Sequence, residues 1–263
     1  MDIPRARIPP APEYLLGSPV YPVSIGETVR WCANLIRQRQ RGYICITSVH
    51  TITEAVFNEP LRRALADGLV VPDGMPLVWF LKLRGHALKR RVYGPDLTLA
   101  TCREAQKRGW RIFWFGSTPS TLGGLRTALR RKFPRLKIAG MCSPEFKTAF
   151  STANIRDQAR DINRTRPDIV MVGLGAPKQE IWMAKARPHL KAPVIMGPGA
   201  AFDFIAGTKP QAPRWMMNTG LEWLYRLATE PRRLWSRYLL YIPLFVVLIA
   251  LQFTGLTEHS RTR

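Results

Sequence analysis

Asp73 is the first residue in the chain whose type and position suggest chemistry. It follows the short apolar run 69–71 and lies within the tripeptide Pro72-Asp73-Gly74. The run predicts a buried strand, and ligands of open parallel sheets bind beyond the carboxyl ends of the strands. A carboxylate at that place can act as a general base if it reaches an attacking hydroxyl. The structural alternative is that Pro-Asp-Gly simply forms a turn.

Hydroxyl and imidazole side chains follow the preceding predicted strand, residues 43–47. Thr47 ends that strand, and Ser48 and His50 come directly after it. The two hydroxyls are suited to bind a sugar or a phosphate. His50 is either a functional residue at this edge of the sheet or a residue that packs at the start of a helix.

Two glycine-containing turns join further predicted strands to helices. Gly116-Ser117-Thr118 follows the predicted strand 110–115, and a turn from Gly173 to Lys178 follows the predicted strand 168–172. Backbone N–H groups at a helix N-terminus favour phosphate. The second turn lacks the third glycine of the dinucleotide fingerprint and the Lys-Ser/Thr pair of a P-loop. Plain strand-to-helix turns are the alternative for both.

Metal ligands do not stand out in the sequence. It contains no Asp-x-Asp motif and no cluster of His, Cys and carboxylate residues. We therefore predict that no metal ion takes part. A diphosphate leaving group would then be neutralised by helix N-termini and by Arg or Lys side chains.

The alternation of apolar runs predicts the fold that positions these residues. Short runs of β-formers alternate with segments of helical spacing, which indicates βαβ units and a mostly parallel sheet flanked by helices over residues 23–210. The predicted strands are 43–47, 69–71, 110–115, 136–139, 168–172 and 193–196, and the predicted helices are 23–40, 51–66, 75–83, 97–107, 121–133, 153–165 and 179–186.

Two segments flank this α/β core. Residues 1–22 are proline-rich and have no apolar signal-peptide region, so we predict an extended, mobile arm or a strap along the surface. Residues 211–263 begin basic and aromatic and contain an uncharged run, 238–257. Basic residues beside an apolar helix suit the boundary between lipid headgroups and acyl chains. Since Pro243 interrupts the run, we favour a helix lying in one leaflet over a spanning helix or one packed on the protein.

The whole chain is strongly basic. Forty Lys and Arg residues against 18 Asp and Glu residues give a formal net charge of +22. This excess indicates an anionic partner, namely nucleic acid, membrane lipid or a phosphorylated substrate, although much of the charge also fits a solvated surface. The four cysteines are far apart and form no CxxC pair, which favours a reduced, cytosolic compartment over a disulfide scaffold.

A succession of short sequences resembles one protein family. The sequences run in this order: Pro72-Asp73-Gly74-Met75-Pro76, Tyr93-Gly94-Pro95-Asp96, Phe115-Gly116-Ser117, Val172-Gly173-Leu174-Gly175-Ala176-Pro177-Lys178-Gln179-Glu180, Gly199-Ala200-Ala201-Phe202-Asp203-Phe204, Gly220-Leu221-Glu222-Trp223-Leu224-Tyr225-Arg226-Leu227 and Glu230-Pro231-Arg232-Arg233-Leu234. Together they resemble the WecG/TagA/CpsF glycosyltransferases, which form glycosyltransferase family 26. The likeness covers about residues 42–238, and the ordered combination is specific although each piece alone is weak.

The resemblance implies a Rossmann-like core with a C-terminal appendage that meets the membrane. It implies an inverting, metal-independent transfer from a UDP-sugar to a polyprenyl-diphosphate-linked saccharide, without a cofactor, at the cytoplasmic face of the cell membrane. Members of the family serve teichoic acid, enterobacterial common antigen and exopolysaccharide assembly. The expected partners are these two substrates and an anionic membrane surface, not nucleic acid, and a homo-oligomer is compatible with the family.

Residue roles follow from the matched motifs. The family's proposed base corresponds to Asp73. The resemblance implies donor binding near Thr47 and Ser48 and by Gln179, although the asparagine that the family carries near Ser48 is absent here. At the two glycine turns, we expect Gly116, Ser117, Gly173 and Gly175 to bind the donor as well. The resemblance places the family's appendage arginines at Arg226, Arg233 and Arg237. With these arginines, we expect His50 and Asp96 to bind the acceptor or its diphosphate.

Other classes of protein fit parts of the sequence. The glycine turns suggest a nucleotide-dependent oxidoreductase, but the third fingerprint glycine is missing. The net charge suggests a nucleic-acid-binding protein, but no groove-reading motif is present. Nucleic-acid binding also leaves the apolar C-terminal run unexplained. A non-catalytic membrane scaffold leaves the polar strand exits unexplained.

Overall fold

The fold is seen in a computed structural model, which describes residues 10–145 and 150–254. Its strands are β1 (Glu13–Leu15), β2 (Ser18–Val20), β3 (Gly42–Thr47), β4 (Leu69–Pro72), β5 (Arg111–Gly116), β6 (Lys137–Cys142), β7 (Ile169–Gly173) and β8 (Val194–Gly197). The last six form a parallel sheet in the order β4-β3-β8-β7-β5-β6. The predicted α/β class with a mostly parallel sheet is therefore confirmed, and the carboxyl ends of these strands share one edge.

Helices cover both faces of this sheet. They are α1 (Ile25–Gln38), α2 (Val49–Phe57), α3 (Glu59–Ala66), α4 (Met75–Leu83), α5 (Gly94–Arg108), α6 (Pro119–Lys132), α7 (Thr152–Arg164), α8 (Lys178–Ala186), α9 (Ala201–Ala206), α10 (Arg214–Thr219), α11 (Glu222–Thr229), α12 (Pro231–Leu239) and α13 (Tyr241–Phe253). One apolar core joins the sheet to α1, α5, α6 and α9, and a second joins it to α2, α3, α4, α7 and α8.

Alternating side chains of each strand supply the two cores. On β5, Trp114 meets Phe202 of α9 edge-on at a centroid distance of 5.2 Å, whereas Phe115 stacks on Trp182 of α8 at 4.5 Å. Aromatic pairs of this kind contribute about 0.5–1.5 kcal/mol each beyond the area they bury. Because both faces are covered, the strands other than β6 at the sheet edge are near-continuous buried runs, which is why the sequence predicted them well.

The helix predicted over residues 51–66 is two helices, so that prediction is wrong in one respect. Asn58 has an extended backbone (φ −120°, ψ 91°), and its side-chain oxygen accepts a hydrogen bond from the Leu61 backbone N–H at 3.1 Å. Pro60 occupies the first turn of α3. An asparagine cap followed by proline is a helix-start signal, and here it restarts the helix in a new direction.

The N-terminal segment contains a β-hairpin that the sequence analysis did not predict. β1 pairs with β2 in an antiparallel register, and the turn between them, Leu16-Gly17, has positive φ at both residues. Positive φ at both central positions gives the turn that matches the twist of paired strands. Leu15 and Val20 are fully buried in the second core. Residues 1–9 of the predicted arm lie outside the described part of the chain.

The C-terminal segment forms α10 to α13, and α13 packs across α2. The Gln252 side chain accepts from the Leu16 backbone N–H at 2.9 Å and donates to the Tyr14 carbonyl at 3.0 Å. Phe245 is buried, while Val246 and Val247 on the outer side are exposed. In the described ranges, no helix combines the length and the apolarity that crossing a membrane requires.

Candidate active site

A cleft of about 1600 Å³ lies at the carboxyl ends of the parallel strands. One wall, which we call the core wall, consists of the residues that leave β3, β4, β5, β7 and β8. The opposite wall, the helical wall, is formed by α11, the end of α12 and α13. The volume exceeds that of a typical single-ligand pocket, so the cleft has room for two substrates side by side.

Asp73 lies on the core wall at the end of β4. Its backbone N–H donates to the Thr47 carbonyl at 2.9 Å, which fixes the turn to the neighbouring strand. Its Oδ1 atom is buried and has no hydrogen-bond partner among the described residues. Burial raises the pKa of this carboxyl to about 6, against the lowering effect of Arg91. A carboxylate with a free oxygen and a pKa near neutrality is suited to accept a proton.

Arg91 and Glu222 form an ion pair beside Asp73. The Arg91 guanidinium donates to the Glu222 carboxylate of α11, and its other nitrogen lies 3.9 Å from Asp73 Oδ1. The same guanidinium stacks over the Tyr93 ring at 4.4 Å from the centroid. Both Arg91 and Glu222 are largely buried, with side-chain exposures of 13% and 10%. The site therefore joins the core wall to the helical wall through one buried cation.

The two predicted glycine turns meet each other at the carboxyl ends of β5 and β7. Gly116 has φ +114°, and a Cβ atom there would lie 2.6 Å from the Gly173 backbone. Ser117 donates its backbone N–H to the Gly173 carbonyl at 2.9 Å. Ser117, Gly173 and Gly175 line the cleft, whereas Gly116 lies behind them. Gly116 is thus required for the close approach of the two turns.

Gln179 connects two strand exits. It is 3% exposed, its amide nitrogen donates to the Gly197 carbonyl at 3.0 Å, and its amide oxygen accepts from the Gly175 backbone N–H at 3.3 Å. It borders the cleft. With both ends of the amide bonded to backbone, Gln179 holds the turn after β7 in place. A direct donor contact stays a prediction.

The residues that leave β3 divide between core and cleft. Thr47 is fully buried and donates its hydroxyl to the Cys45 carbonyl at 3.1 Å, so its side chain does not line the cleft. Ser48 and His50 do line it. The His50 ring contacts Tyr241 of α13 edge-on at 4.5 Å and lies 3.5 Å from Glu54. The structure thus brings Ser48 and His50, but not the Thr47 hydroxyl, to the candidate site.

Of the remaining predicted acceptor residues, some line the cleft and some do not. Arg226 lines the cleft, and its Nε atom is buried without a hydrogen-bond partner in the described parts of the chain. Asp96 points elsewhere, toward Arg214 at 3.9 Å, and does not line the cleft. Arg233 and Arg237 belong to α12, but their side chains lie outside what the structure describes.

Sequence reasoning missed Arg91, Glu222 and Lys209 as residues of the cleft. Lys209 lies 2.9 Å from Glu230 and 3.8 Å from Asp203. Arg91 stands in a basic loop where its neighbours Lys89 and Arg90 look the same, so composition did not single it out. The available signal was position, because Arg91 comes two residues before the Tyr93-Gly94-Pro95-Asp96 motif.

Possible metal ligands are sparse in this cleft. Within residues 10–145 and 150–254, the structure contains no group of three His, Cys, Asp or Glu side chains placed to hold a metal ion. The charged groups that face Asp73 are Arg91, Glu222 and Arg226. The arrangement combines a buried carboxylate with cationic side chains, which suits proton removal next to a phosphorylated ligand.

Comparison with known proteins identifies the family. A sequence model described as "Glycosyl transferase WecG/TagA/CpsF family" matches residues 13–259. The chain belongs to this family. The resemblance noted from the motifs is thereby confirmed, and the molecule is a glycosyltransferase instead of an oxidoreductase or a nucleic-acid-binding protein.

Two relatives are similar over most of their length. One, from Bacillus spizizenii, is 31% identical over 228 residues, covering 85% of this chain and 82% of the relative. The other, from Bacillus subtilis strain 168, is 32% identical over 187 residues, covering 70% of this chain and 69% of the relative. Both are named N-acetylglucosaminyldiphosphoundecaprenol N-acetyl-beta-D-mannosaminyltransferase.

Proposed function

We propose that this glycosyltransferase transfers N-acetylmannosamine, or a closely related hexosamine, from a UDP-sugar to N-acetylglucosamine linked through diphosphate to a polyprenol. The names of the two relatives support the transferred sugar and the acceptor. The single observation that carries the chemistry is Asp73, with a buried oxygen that has no hydrogen-bond partner among the described residues and a pKa raised to about 6 by burial.

The proposed reaction is one displacement with inversion. Asp73 removes the proton from the acceptor hydroxyl as that oxygen attacks the anomeric carbon of the donor. The bond from that carbon to the UDP oxygen breaks, and UDP leaves with the electron pair. General-base catalysis of this kind contributes roughly 10²- to 10⁴-fold in rate.

Cationic side chains support the proposed handling of diphosphate without a metal. Arg91, Arg226, Lys178 and Lys209 all line the cleft. Charge developing on the leaving UDP is stabilised by such groups when they are already positioned. Arg233 and Arg237 remain predicted contributors. Exopolysaccharide synthesis is the pathway that the motif resemblance favours among the family's polymers, and it stays a prediction.

The cleft mouth supports a peripheral position at the cytoplasmic face of the membrane. Large apolar side chains near the mouth are exposed, among them Trp79, Trp223, Leu239 and Val246. Exposed aromatic and apolar groups with basic neighbours bind the interface of anionic bilayers. We propose that residues 211–263 act as an appendage that brings the cleft to its lipid-linked acceptor. Failure of the protein to sediment with phosphatidylglycerol vesicles at low salt would contradict this proposal.

UDP release tests the proposed function. Purified full-length protein in detergent is given UDP-N-acetylmannosamine and a short-chain polyprenyl-diphosphate N-acetylglucosamine, with EDTA present. We expect UDP release that depends on the acceptor. Release only after Mg²⁺ or Mn²⁺ is added would contradict the metal-independent mechanism, and release with a different UDP-sugar would correct the donor. No release with any pair and no UDP binding would overturn the proposal.

A further inference from the structure

Three buried charged side chains from three parts of the chain meet at one point of the cleft. Asp73 follows β4, Arg91 belongs to the loop before α5, and Glu222 begins α11. Arg91 and Glu222 lie 131 residues apart in sequence and are in hydrogen-bond contact. Their pairing is the polar contact nearest to Asp73 between the core wall and the helical wall.

The position of Arg91 between two carboxylates is asymmetric. Its guanidinium donates to Glu222, whereas its closest approach to Asp73 is 3.9 Å, which is beyond hydrogen-bond distance. Asp73 Oδ1 is left buried and without a hydrogen-bond partner among the described residues. A guanidinium this close would ordinarily bind a free carboxylate through two parallel hydrogen bonds. Glu222 accounts for the asymmetry, because it accepts the hydrogen bond that Arg91 would otherwise offer to Asp73.

We propose that Glu222 is a positioning residue for the reaction: it holds the Arg91 guanidinium on the helical wall, so that the Asp73 carboxylate is not closed into a hydrogen-bonded pair with Arg91 and stays available to the acceptor hydroxyl. The inference rests on the proposed function, because it gives Asp73 the role of base. It adds a residue that touches neither reacting atom and acts through Arg91.

The charges around Asp73 agree with this role. Burial raises the pKa of Asp73 most, Arg91 lowers it, Glu222 raises it and Arg226 lowers it, and the Gly94 backbone N–H also lowers it. Loss of the Glu222 charge removes a direct raising effect. It also frees Arg91 to close on Asp73, which lowers the pKa further. Both effects make Asp73 a weaker base.

Glu222 also makes the base depend on the helical wall. It is the first residue of α11, and that helix lines the cleft with Leu221, Trp223 and Arg226. When α11 is docked, Arg91 is drawn away from Asp73. When α11 moves away, Glu222 leaves with it, and Asp73 is then the carboxylate of this group that remains beside Arg91. The geometry thus couples docking of the C-terminal helices to the availability of the base.

The test is a titration of Asp73 that needs no substrate. Carboxyl ¹³C NMR of the full-length protein in detergent follows Asp73, whose signal is assigned by its loss in Asp73→Asn. In the wild-type protein we expect a midpoint of about 6. In Glu222→Gln we expect the midpoint at lower pH, and in Glu222→Asp, which keeps the charge, a midpoint closer to that of the wild type. An unchanged midpoint in Glu222→Gln would overturn the proposal.

A double-mutant comparison separates positioning from the direct field of Glu222. In an Arg91→Gln background, Glu222→Gln should move the midpoint by less than it does in the presence of Arg91, because only the direct effect remains. Equal shifts in the two backgrounds would mean that Glu222 does not act through Arg91. If Glu222→Gln does not fold, Glu222→Ala, which also removes the carboxylate, replaces it in both backgrounds and decides in the same way.

Matched controls and activity complete the design. Glu104→Gln removes the same charge from an exposed pair with Arg108 on α5 and should leave the midpoint unchanged.

In the UDP-release assay, Glu222→Gln should move the acid limb of kcat/KM to lower pH and reduce its plateau roughly tenfold. If the proposed function fails, no variant releases UDP, yet the NMR shifts persist. If the positioning role fails, UDP release continues and the midpoints do not move.

Discussion

The two walls of the cleft are built by different means. On the core wall, the position of each group is set by backbone contacts between neighbouring strand exits, such as Asp73 N–H to the Thr47 carbonyl and Ser117 N–H to the Gly173 carbonyl. On the helical wall, helices with exposed apolar side chains are joined to the core by the packing of α13, whose Phe245 is buried, and by a few polar side-chain contacts. The difference suggests that the sheet fixes the chemistry and the helices regulate access and charge.

The polar connections between the walls lie at separate places. Arg91 with Glu222 lies beside the proposed base, Lys209 with Glu230 lies beside α9, and Gln252 binds the β1–β2 hairpin. A change on the core wall should therefore alter chemistry or the stability of the whole protein. A change at Lys209–Glu230 or at Gln252 should act mainly on the helices, whereas a change at Glu222 should also alter the proposed base through Arg91.

The largest expected effect is on turnover, from a change on the core wall. Asp73→Asn keeps the shape of the side chain but cannot accept the proton, so we expect kcat to fall about 10²- to 10⁴-fold while UDP binding is retained. The UDP-release assay with and without acceptor measures both. Near wild-type turnover in Asp73→Asn would show that the base lies elsewhere and would remove the chemical distinction between the walls.

The same substitution should increase stability at neutral pH. The folded-state pKa of about 6 lies above the usual 3.8, so the buried carboxylate destabilises the fold when ionised. At pH 7.5, Asp73→Asn should raise the free energy of unfolding by on the order of 1–3 kcal/mol. The wild-type protein gains stability as pH falls from above 6 toward 4, so the difference between the two proteins should shrink there. Denaturant unfolding at pH 7.5 and 4.5 checks this sign.

A second change tests the backbone of the core wall. Gly116→Ala places a Cβ atom 2.6 Å from the Gly173 backbone at φ +114°. We expect a loss of about 2–4 kcal/mol in the free energy of unfolding and weaker UDP binding. Gly123→Ala is the matched control, because it lies within α6 with no atom within 4 Å of the added Cβ. It should stabilise by about 0.5–1 kcal/mol, and equal effects of the two variants would contradict the close approach.

The smallest expected effect concerns the helical wall. Gln252→Ala removes both hydrogen bonds to the hairpin and should cost about 1–2 kcal/mol. Hydrogen exchange should increase in α13 and in β1 while β5 and β7 keep their protection. Gln252→Glu retains an acceptor for the Leu16 N–H but has no donor for the Tyr14 carbonyl. Its stability should therefore lie between those of the wild-type protein and Gln252→Ala. Uniform loss of protection across the sheet would show that the walls unfold together.

Much of the fold was accessible from sequence because local and tertiary preferences agree there. The strands β3, β4, β5, β7 and β8 are short, largely buried apolar runs, so each can be recognised without knowledge of its neighbours, whereas β6 at the sheet edge is only partly buried. Residues 75–83 were predicted and found as a helix with the same ends. The hairpin was missed because its strands have three residues each and depend on burial of Leu15 and Val20.

The candidate site could be predicted only in part from the sequence, because some of its residues depend on contacts between distant parts of the chain. Asp73 could be found because it directly follows a recognisable strand. Glu222 stands in a matched motif, but its proposed role depends on Arg91, which is 131 residues away, and no local pattern encodes that pairing. Asp96 stands in a family motif, yet the structure turns it toward Arg214 instead of the cleft. Sequence motifs thus indicated the neighbourhood of the site more reliably than the direction of individual side chains.

The contact between Gln252 and the hairpin has a consequence for biosynthesis. It joins residues 236 positions apart, so it can form only after Gln252 has left the ribosome. The sheet ends at Gly197, and its strands are therefore complete well before α13 emerges. The nascent protein can fold its catalytic scaffold first and add the apolar last helix afterwards. Before then, the Leu16 backbone N–H and the Tyr14 carbonyl lack their hydrogen bonds to α13.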